Sequence, residues 1–421
     1  MATDITSTQE QKSAHPILDV QQAACCIVGG GPAGVVLSLL LARQGIKVKL
    51  LEAHKDFDRD FRGDTIHPST MEIMAELGLA DRLLELKHTK LHSLNLMTPG
   101  GTGFVADLGR LKTRYPFITI MPQVKFLELI VAEAQKYPNF QLVLGANVQE
   151  LIVGEACSQD LEAGKIAGVR YRGQGGWHEV RAPLVVGADG RHSRIRELCG
   201  FQPVGNAPPM DVLWFRLPRY AGEPEGINGR IGKGRLMALL DRSDQWQVAY
   251  IFPKGSYQQI RTAGLEVLRQ SIVEVVPEFV DRVDQLKDWS QVAFLGVESS
   301  RVKRWFRPGV LLIGDAAHVM SPVAGVGINY AVQDAVEAAN ILSQPLKSGQ
   351  LQLSHLAAVQ RRRELPTQII QKFQGLVQKQ IVTRALTEQP VIIPWFLRLP
   401  ILRDLPARII GLGVWPVHVH C

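Results

Sequence analysis

Cysteine is scarce in this chain, and no two cysteines have the spacing of a redox pair or a zinc site. The 421 residues contain five cysteines and no Cys-x-x-Cys motif. Cys25 and Cys26 lie in a short apolar run, so we expect them to be buried rather than reactive. The sequence therefore argues against a disulfide-exchanging enzyme and against a bound metal, and it favours a reducing compartment, the cytoplasm.

Long hydrophobic runs are also missing. No window of about 20 uncharged apolar residues exists, so we expect no membrane-spanning helix. Residues 1–20 are polar and have no apolar signal-peptide core, which favours a frayed leader. No basic stripe with interleaved aromatic residues is present, so nucleic acid is not an expected partner.

Charge is unevenly distributed along the chain. The net charge is +7, from 47 Lys and Arg against 40 Asp and Glu. Residues 347–421 contain ten Lys and Arg against three Asp and Glu, so this part alone carries +7 and the preceding residues are balanced. The excess fits a solvated helix face, or else attraction to anionic lipid or to an acidic partner.

The most informative motif is a glycine-rich turn. Gly29-x-Gly31-x-x-Gly34 follows an apolar run and opens an apolar-periodic segment, and a second apolar run, residues 48–51, ends at Glu52. In a dinucleotide-binding unit the first glycine permits the turn, the second lets backbone N–H groups approach a pyrophosphate, and the third lets the helix pack on the strand. The helix N-terminus favours the phosphates. Glu52 would accept hydrogen bonds from a ribose diol and repel a 2′-phosphate, which predicts bound FAD or NAD.

A second motif joins an apolar run, residues 184–187, to the turn Asp189-Gly190. Ser193 follows at the position of a helix cap, before a short helical segment, residues 194–198. The pattern predicts a strand, a turn that carries an acid, and a helix.

A third motif joins an apolar run, residues 310–313, to Gly314-Asp315. Residues 321–329 are mostly small and let the backbone pass close to a flat ligand. A helical pattern begins at Ile328, and its N-terminus would favour developing negative charge in the cleft.

Together these motifs resemble the class A flavoprotein monooxygenases, the aromatic hydroxylases typified by p-hydroxybenzoate hydroxylase. The order of the GxGxxG, DG and GD motifs is the same, their spacing is comparable, and the match spans most of residues 20–345. The resemblance implies non-covalent FAD, with Asp189 serving FAD and NAD(P)H, Asp315 binding the ribityl chain, and further FAD contacts from Arg62 and Gln123. The cofactor-binding residues expected from the motifs and the resemblance are Gly29, Gly31, Pro32, Ala33, Gly34, Glu52, Ala53, Arg62, Gln123, Asp189, Gly314, Asp315, Pro322, Gly325, Gly327, Ile328 and Asn329.

One departure from the family concerns the segment after the GD motif. The family often has Pro-Pro and Gly-Gln-Gly there, whereas this chain has Ser321-Pro322 and Gly325-Val326-Gly327. We therefore expect the backbone path to be kept and the side-chain contacts near the reactive edge of the flavin to differ.

The resemblance implies an α/β fold in which a Rossmann-like FAD-binding domain is interleaved with a mixed β-sheet substrate domain. We assign residues 20–88, 118–200 and 297–345 to the FAD-binding domain, residues 89–117 and 201–296 to the substrate-binding domain, and residues 346–421 to a C-terminal helical, basic and apolar region. Local patterns predict a strand at 212–217, a hairpin of 235–240 with 245–252, a helix at 265–276, and a helix at 351–382.

The end of the chain allows two interpretations. After Gln389, apolar residues alternate with Arg398, Arg403 and Arg408, and prolines prevent one long helix. The segment could fold onto the substrate domain or form a dimer face. It could instead be an interfacial membrane anchor, with arginines at lipid headgroups.

The resemblance implies that NADH or NADPH reduces FAD and that O2 then forms a flavin C4a-hydroperoxide, which hydroxylates an aromatic or other electron-rich apolar substrate. No second glycine motif is present, which fits transient NAD(P)H docking. The alternatives are a reductase or oxidase of a prenyl or polyene lipid on the same fold and a non-catalytic flavin-binding protein. His67, His92, His318 and Tyr250 are candidates for a base, and the sequence does not choose among them.

Overall fold

A computed structural model describes residues 15–58, 64–98, 101–154, 164–224, 226–391 and 404–420. Its strands are β1 Ile17–Gln22, β2 Cys25–Val28, β3 Val48–Glu52, β4 Thr65–Ile66, β5 Thr89–Leu91, β6 Ser93–Thr98, β7 Gly101–Asp107, β8 Ile118–Ile120, β9 Phe140–Leu144, β10 Asn147–Val153, β11 Ile166–Gly173, β12 Gly176–Arg181, β13 Leu184–Gly187, β14 Pro203–Asn206, β15 Met210–Pro218, β16 Ile227–Gly232, β17 Arg235–Asp241, β18 Gln245–Pro253, β19 Ala293–Leu295, β20 Ser299–Val302, β21 Phe306–Arg307, β22 Val310–Leu312 and β23 His318–Val319.

The helices between and after these strands are α1 Pro32–Arg43, α2 Pro68–Glu76, α3 Ala80–Glu85, α4 Gln123–Ala134, α5 Arg194–Leu198, α6 Tyr257–Ala263, α7 Leu265–Val275, α8 Gly327–Lys347, α9 Leu353–Val377, α10 Thr383–Leu386 and α11 Leu405–Gly411. A π-helical segment, Gln378–Val382, joins α9 to α10. Short 3-10 turns occur at Leu108–Arg110, Pro277–Phe279, Val283–Gln285, Trp289–Gln291, Gly314–Ala316 and Val323–Gly325.

The central sheet has the strand order β21-β22-β13-β2-β3-β9. All pairs from β22 to β9 are parallel, and β21 is an antiparallel edge strand. Both faces of a parallel sheet must be covered, which explains why every residue of β2 is buried. Helices α1, α4 and α8 cover one face, and a four-stranded sheet, β1-β12-β11-β10, supplies the apolar cover of the other. The chain thus has the Rossmann-like α/β fold that we predicted.

The N-terminal part of this arrangement corrects one expectation. Residues 17–20 do not fray, because β1 pairs in parallel with β12 from Ile17 onward. Cys25 and Cys26 are fully buried with free thiols, as predicted, and burial raises the pKa of Cys26 to about 12.

The second large sheet has the strand order β19-β15-β18-β17-β16-β6-β7. The predicted hairpin is confirmed as β17 paired antiparallel with β18, and the predicted helix is confirmed as α7, which ends before Pro277. Helices α6 and α7 pack on one face of this sheet, whereas the segment from the π-helix to α10 packs on the other. The strand at 212–217 is confirmed within β15.

Smaller sheets connect the predicted domains. Strand β14 pairs with β20, and β5 pairs with β8, so two strand pairs join segments that were assigned to different domains. The division into domains remains a prediction.

The C-terminal part packs back on the rest of the chain. The helix predicted at 351–382 is confirmed as α9 followed by the π-helical segment. In α11, Ala407 and Ile410 are buried beside Leu108 and Leu111. The apolar residues at 392–403, on which the membrane-anchor interpretation depends, lie outside the described residues. Within the described ranges, no helix is both long and apolar enough to cross a bilayer.

Candidate active site

The three sequence motifs meet at one edge of the central sheet. Val28 is in register with Leu51 on one side and with Gly187 on the other, and Gly187 is in register with Leu312. The strands are parallel, so their carboxyl ends are level and the loops that follow them lie side by side. Ligands of doubly wound sheets bind outside these carboxyl ends. The GD, DG and glycine motifs and Glu52 therefore line one cleft in that order.

The glycine turn has the geometry that each glycine was expected to provide. Gly29 has φ +107°, and a Cβ there would lie 2.4 Å from the carbonyl oxygen of Ala188. A Cβ on Gly34 would lie 1.9 Å from the carbonyl oxygen of Gly29, so only glycine lets α1 pack this closely. A Cβ on Gly31 would meet nothing within 4 Å. Gly31 therefore opens onto free space at the N-terminus of α1, where Pro32, Ala33 and the helix dipole follow.

Glu52 lies at the end of β3 and is nearly buried. One carboxylate oxygen accepts a hydrogen bond from the backbone N–H of Gly30 at 2.7 Å, and the other accepts one from the backbone of His54 at 2.9 Å. The ring Nδ1 of His54 also contacts that second oxygen at 2.6 Å. The carboxylate thus stands directly beside the glycine turn, and its contact with a ribose remains a prediction. Ala53 follows it and is exposed.

Asp189 caps the helix that follows it. Its carboxylate accepts hydrogen bonds from the hydroxyl of Ser193 and, at 3.0 Å, from the backbone N–H of Ile195. Ser193 caps α5 as predicted, because its hydroxyl accepts from the backbone N–H of Arg196. Burial raises the pKa of Asp189, and the hydrogen bonds only partly oppose that effect. Asp189 therefore shapes its own loop, and its contact with FAD remains a prediction.

Arg196, in α5, joins the DG and GD loops. Its guanidinium donates to the carbonyl oxygens of Arg191, Asp315 and Ala316, the last at 3.2 Å. This side chain therefore links the two acidic loops, in addition to the pairing of β13 with β22.

The GD turn is anchored by a buried ion network, which consists of Asp334, His318 and Arg363. Gly314 donates its backbone N–H to Asp334 of α8 at 3.0 Å. The same carboxylate contacts His318 at 2.6 Å and accepts from Arg363 of α9 at 2.8 Å, and all three side chains are at most 1% exposed. Burial alone would raise the pKa of Asp334, but His318 and Arg363 hold it below its usual range.

Asn329, near the N-terminus of α8, presents a buried donor without a partner. Its Oδ1 accepts from the backbone N–H of His67 at 3.2 Å and from the hydroxyl of Thr70 at 2.6 Å. These two donors fix the orientation of the amide, so Nδ2 points elsewhere, and it is buried and unbonded. A buried donor without an acceptor costs about 1–3 kcal/mol. Within the described part of the chain this donor has no partner, as is expected if its acceptor belongs to a ligand.

The loop before α8 lies against the same residues. Gly325 has φ +64°, and a Cβ there would lie 2.7 Å from the hydroxyl oxygen of Thr65, which donates to the Gly325 carbonyl. Gly327 opens α8 and has free space in the direction of a Cβ. Pro322 precedes these residues and Ile328 follows them, so this group of predicted site residues is brought together.

Two other predicted contacts are less closely defined. Gln123 is the first residue of α4, and its backbone N–H reaches the carboxylate of Asp64. Asp64 pairs with Arg242 of the second large sheet at 3.2 Å, which places Gln123 at the boundary between the sheets. Arg62 lies outside the described residues.

The four candidate bases lie in different environments. His318 belongs to the buried ion network, and Tyr250 bonds Arg235 and Ser271 on the α7 side of the second sheet. His92 is exposed. His67 is fully buried, its Nδ1 contacts the carbonyl oxygen of Ile410 at 2.7 Å, and burial lowers its pKa to about 4.

Comparison with known proteins decides the family. Residues 22–373 match the model of the FAD binding domain family. The chain is 33% identical over 357 residues to 6-methylpretetramide 4-monooxygenase of Streptomyces rimosus, covering 84% of this chain and 83% of that protein. The chain belongs to the class A FAD-dependent monooxygenases.

Other relatives agree with this assignment. Pentachlorophenol 4-monooxygenase of Sphingobium chlorophenolicum is 27% identical over 74% of this chain, which spans 56% of that protein's length. The crystal structure of p-nitrophenol 4-monooxygenase PnpA from Pseudomonas putida DLL-E4 shares the fold, with a TM-score of 0.72, 20% identity and 94% coverage of each chain. The protein is thus a flavin-dependent oxidoreductase of the hydroxylase type, and its cofactor is FAD.

The residues present fit FAD as the group bound at the cleft. Free space lies next to Gly31 at a helix N-terminus, which suits a pyrophosphate. The partnerless Nδ2 of Asn329 suits an acceptor on a flat ring. Glu52, the last residue of β3, lies beside the glycine turn and suits the adenosine ribose.

Sequence reasoning missed the residues that hold these contacts in place. Arg196, Asp334 and Arg363 were not predicted, although Asp334 is an acid set among the apolar positions of a predicted helix. That position is a usable signal, because an acid on a buried helix face needs a partner.

The Arg196→Met variant is expected to bind FAD more weakly than the unaltered protein, because the DG and GD loops lose the guanidinium that donates hydrogen bonds to both. Loss of hydrogen bonds from a charged donor costs about 2 kcal/mol, or roughly thirtyfold in the dissociation constant. Titration of apo-protein with FAD measures this. Arg194→Met is the matched control in the same helix, since its guanidinium bonds Glu197 and the carbonyl of Gln149. Equal affinity of the two variants would contradict the assigned role.

Acid is expected to destabilise the protein through His67. Above pH 6.5 this imidazole is neutral in both the folded and the unfolded chain; between pH 6.5 and about 4 only the unfolded chain takes up the proton. The free energy of unfolding should therefore fall across this window by up to about 3 kcal/mol. Urea midpoints measured between pH 7 and pH 4.5 test this. His67→Gln should reduce the change of the urea midpoint with pH. Substitution of the exposed His92 by Gln should leave that change as it is in the unaltered protein.

Proposed function

We propose that this monooxygenase hydroxylates a small, electron-rich aromatic substrate with NAD(P)H and O2. The observation that carries the proposal is the convergence of the three motif loops at the carboxyl ends of β2, β13 and β22. The printed names of the relatives, 6-methylpretetramide 4-monooxygenase and pentachlorophenol 4-monooxygenase, support an aromatic substrate.

Bound FAD would supply the hydride acceptor and the activation of O2. The chain's own groups would bind and orient it. The N-terminus of α1 at Gly31 would bind the pyrophosphate, and Glu52 would accept from the adenosine ribose. Asp315 would bind the ribityl chain, and Asn329 would donate to the ring.

An apolar region beside the loop of residues 320–326, here called the flavin loop, supports an apolar substrate. Val323 packs against the face of the second large sheet that is turned away from α7. The buried side chains of this region are Leu96, Met210, Val212, Leu236, Ala249, Val297, Val382 and Ala385. They are packed against one another and at most 7% exposed, so they would form an apolar, water-excluding backing to a substrate site and would favour a ring over a charged substrate.

No catalytic base is assigned to the reaction. His67 is a candidate close to the flavin loop, since its Nε2 lies 3.6 Å from the Cβ position of Gly325. With a pKa of about 4 it would stay neutral at pH 7 and act as a hydrogen-bonding group.

The test is NADH and NADPH oxidation by the FAD-loaded protein across a panel of phenols and polycyclic phenols, with O2 uptake, H2O2 release and product analysis. Hydroxylation requires substrate-stimulated NAD(P)H use with little H2O2 and a product that gains one oxygen atom from ¹⁸O2. Substrate reduction under anaerobic conditions would contradict the proposal and favour a reductase. Absence of turnover with every ligand would favour a flavin-binding protein.

Peripheral membrane contact remains a separate proposal, supported by the arginines and aromatic residues at 392–403. Substituting serine for Trp395 and Phe396 should reduce flotation with anionic liposomes. Trp415→Ser is the control, since Trp415 is 53% exposed outside that segment. If the unaltered protein does not float with anionic liposomes, the proposal of membrane contact is wrong.

A further inference from the structure

Three glutamines on α9 and its π-helical extension form one row. Gln371, Gln374 and Gln378 are spaced three and four residues apart, so they share a helix face. Gln374 is 1% exposed and Gln378 is 7% exposed. Among the described residues, Nε2 of Gln374 has acceptors, whereas its Oε1 is buried without a donor, so the row makes its contacts through the hydrogen bonds that the amide nitrogens donate.

The partners of the row lie in the loop between β23 and α8. Gln374 donates to the carbonyl oxygens of Ser321 and Val323, both at 2.8 Å. Gln378 donates to the hydroxyl of Ser321 at 2.6 Å. Gln371 donates to the carbonyl oxygens of Ser300 at 3.0 Å and of Val319 at 3.2 Å, so it contacts β20 and the end of β23, directly before the loop.

This loop does not hold its shape by local preference. Ala324 has φ +65° and Gly325 has φ +64°, and a left-handed conformation is unfavourable for alanine. Such residues persist where surrounding contacts over-determine the backbone. The bonds from Gln374 and Gln378 are contacts of that kind.

The π-helical segment places the same part of the chain against the second large sheet. It begins at Gln378, and Val382 near its end is buried with Met210 and Val212. π-Helical turns are rare and occur often at functional sites. One stretch of helix therefore contacts both the flavin loop and the apolar region assigned to the substrate.

We propose that Gln374 and Gln378 are positioning residues that hold the loop of residues 320–326 against the flavin and so keep NAD(P)H oxidation coupled to hydroxylation. The claim that NAD(P)H oxidation stays coupled to hydroxylation rests on the proposed function. The claim that the two glutamines hold the loop in position does not rest on it. The C-terminal region is then a component of the active site.

The test compares Gln374→Met and Gln378→Met, singly and combined, with Gln368→Met as control. Gln368 lies on the same helix, and its amide bonds Glu364 rather than the loop. In FAD-loaded protein, deuterium uptake by peptides that cover residues 319–327 should rise roughly tenfold in the double variant and remain unchanged in the control. The flavin absorption band should shift in the same variants.

With an accepted substrate, the share of NAD(P)H that ends as H2O2 should rise in the Gln374 and Gln378 variants only. Uptake and flavin spectrum equal to those of the control would overturn the proposal. Changed uptake in a protein that hydroxylates nothing would leave loop positioning intact and contradict the proposed function. If the double variant does not fold, the single Gln378→Met variant decides by the same uptake measurement.

Discussion

A Gly34→Ala protein is expected to lose most of its FAD during purification. The added methyl group would lie 1.9 Å from the carbonyl oxygen of Gly29, which is backbone and cannot move aside alone. Helix α1 must then shift away from β2, and with it the N-terminal N–H groups that face the pyrophosphate. Overpacking costs about 1–3 kcal/mol, which corresponds to roughly ten- to hundredfold weaker binding. The visible flavin absorbance per protein and a titration of apo-protein with FAD measure the loss.

Two other glycines serve as controls for this result. Gly375→Ala also adds a methyl group to a helix, α9, but meets nothing within 4 Å, so FAD content should be unchanged. In Gly31→Ala the added methyl group meets no protein atom within 4 Å either. Any loss of FAD affinity in this variant would therefore come from contact between the methyl group and FAD. Apo-protein of Gly31→Ala should unfold at the same temperature as the unaltered chain. Full FAD content in Gly34→Ala would refute the packing argument.

The second large effect is expected for Asp334→Ala, which removes the centre of the buried ion network. Arg363 would be left 1% exposed without its counter-charge, and Gly314 would lose its acceptor. Breaking a buried ion pair in this way costs about 3–5 kcal/mol. We expect a lower thermal midpoint and a loss of FAD, because the GD turn and α9 separate. Differential scanning calorimetry of the apo-protein and the FAD-loaded protein measures both effects.

The double substitution Asp334→Ala, Arg363→Met separates the charge from the packing. It removes the stranded cation, so it should be less destabilised than Asp334→Ala alone. A double variant as unstable as the sum of the two single variants would show that the network contributes by packing rather than by charge. Lys379→Met is the control for the loss of one positive charge, because Lys379 lies in the π-helical segment after α9, outside the network.

Local sequence patterns were sufficient to predict the structure wherever the interactions are confined to a few neighbouring residues. The three roles of Gly29, Gly31 and Gly34 follow from their spacing, and the structure gives each the expected surroundings. The hairpin of β17 and β18 and the cap at Ser193 follow from equally local signals. The family assignment rested on the order of three such motifs and was confirmed.

Expectations were wrong or incomplete where distant segments decide the outcome. Residues 17–20 looked like a polar leader, but β12, about 160 residues later, supplies a strand partner. The partners of Asp334 were likewise not predicted, because Arg363 lies on a different helix, 29 residues later.

The sequence by itself determined that this chain binds a dinucleotide on a parallel sheet, because the turn, the helix N-terminus and the acid at the strand end are set by short-range sterics and spacing. Only the tertiary structure decided that Arg196 joins two motif loops, that Asp334 pairs with Arg363, and that Gln374 holds the flavin loop. These contacts join residues up to about 120 positions apart along the chain. Their energies depend on burial and on the distance between packed helices, and neither quantity is written in a local pattern.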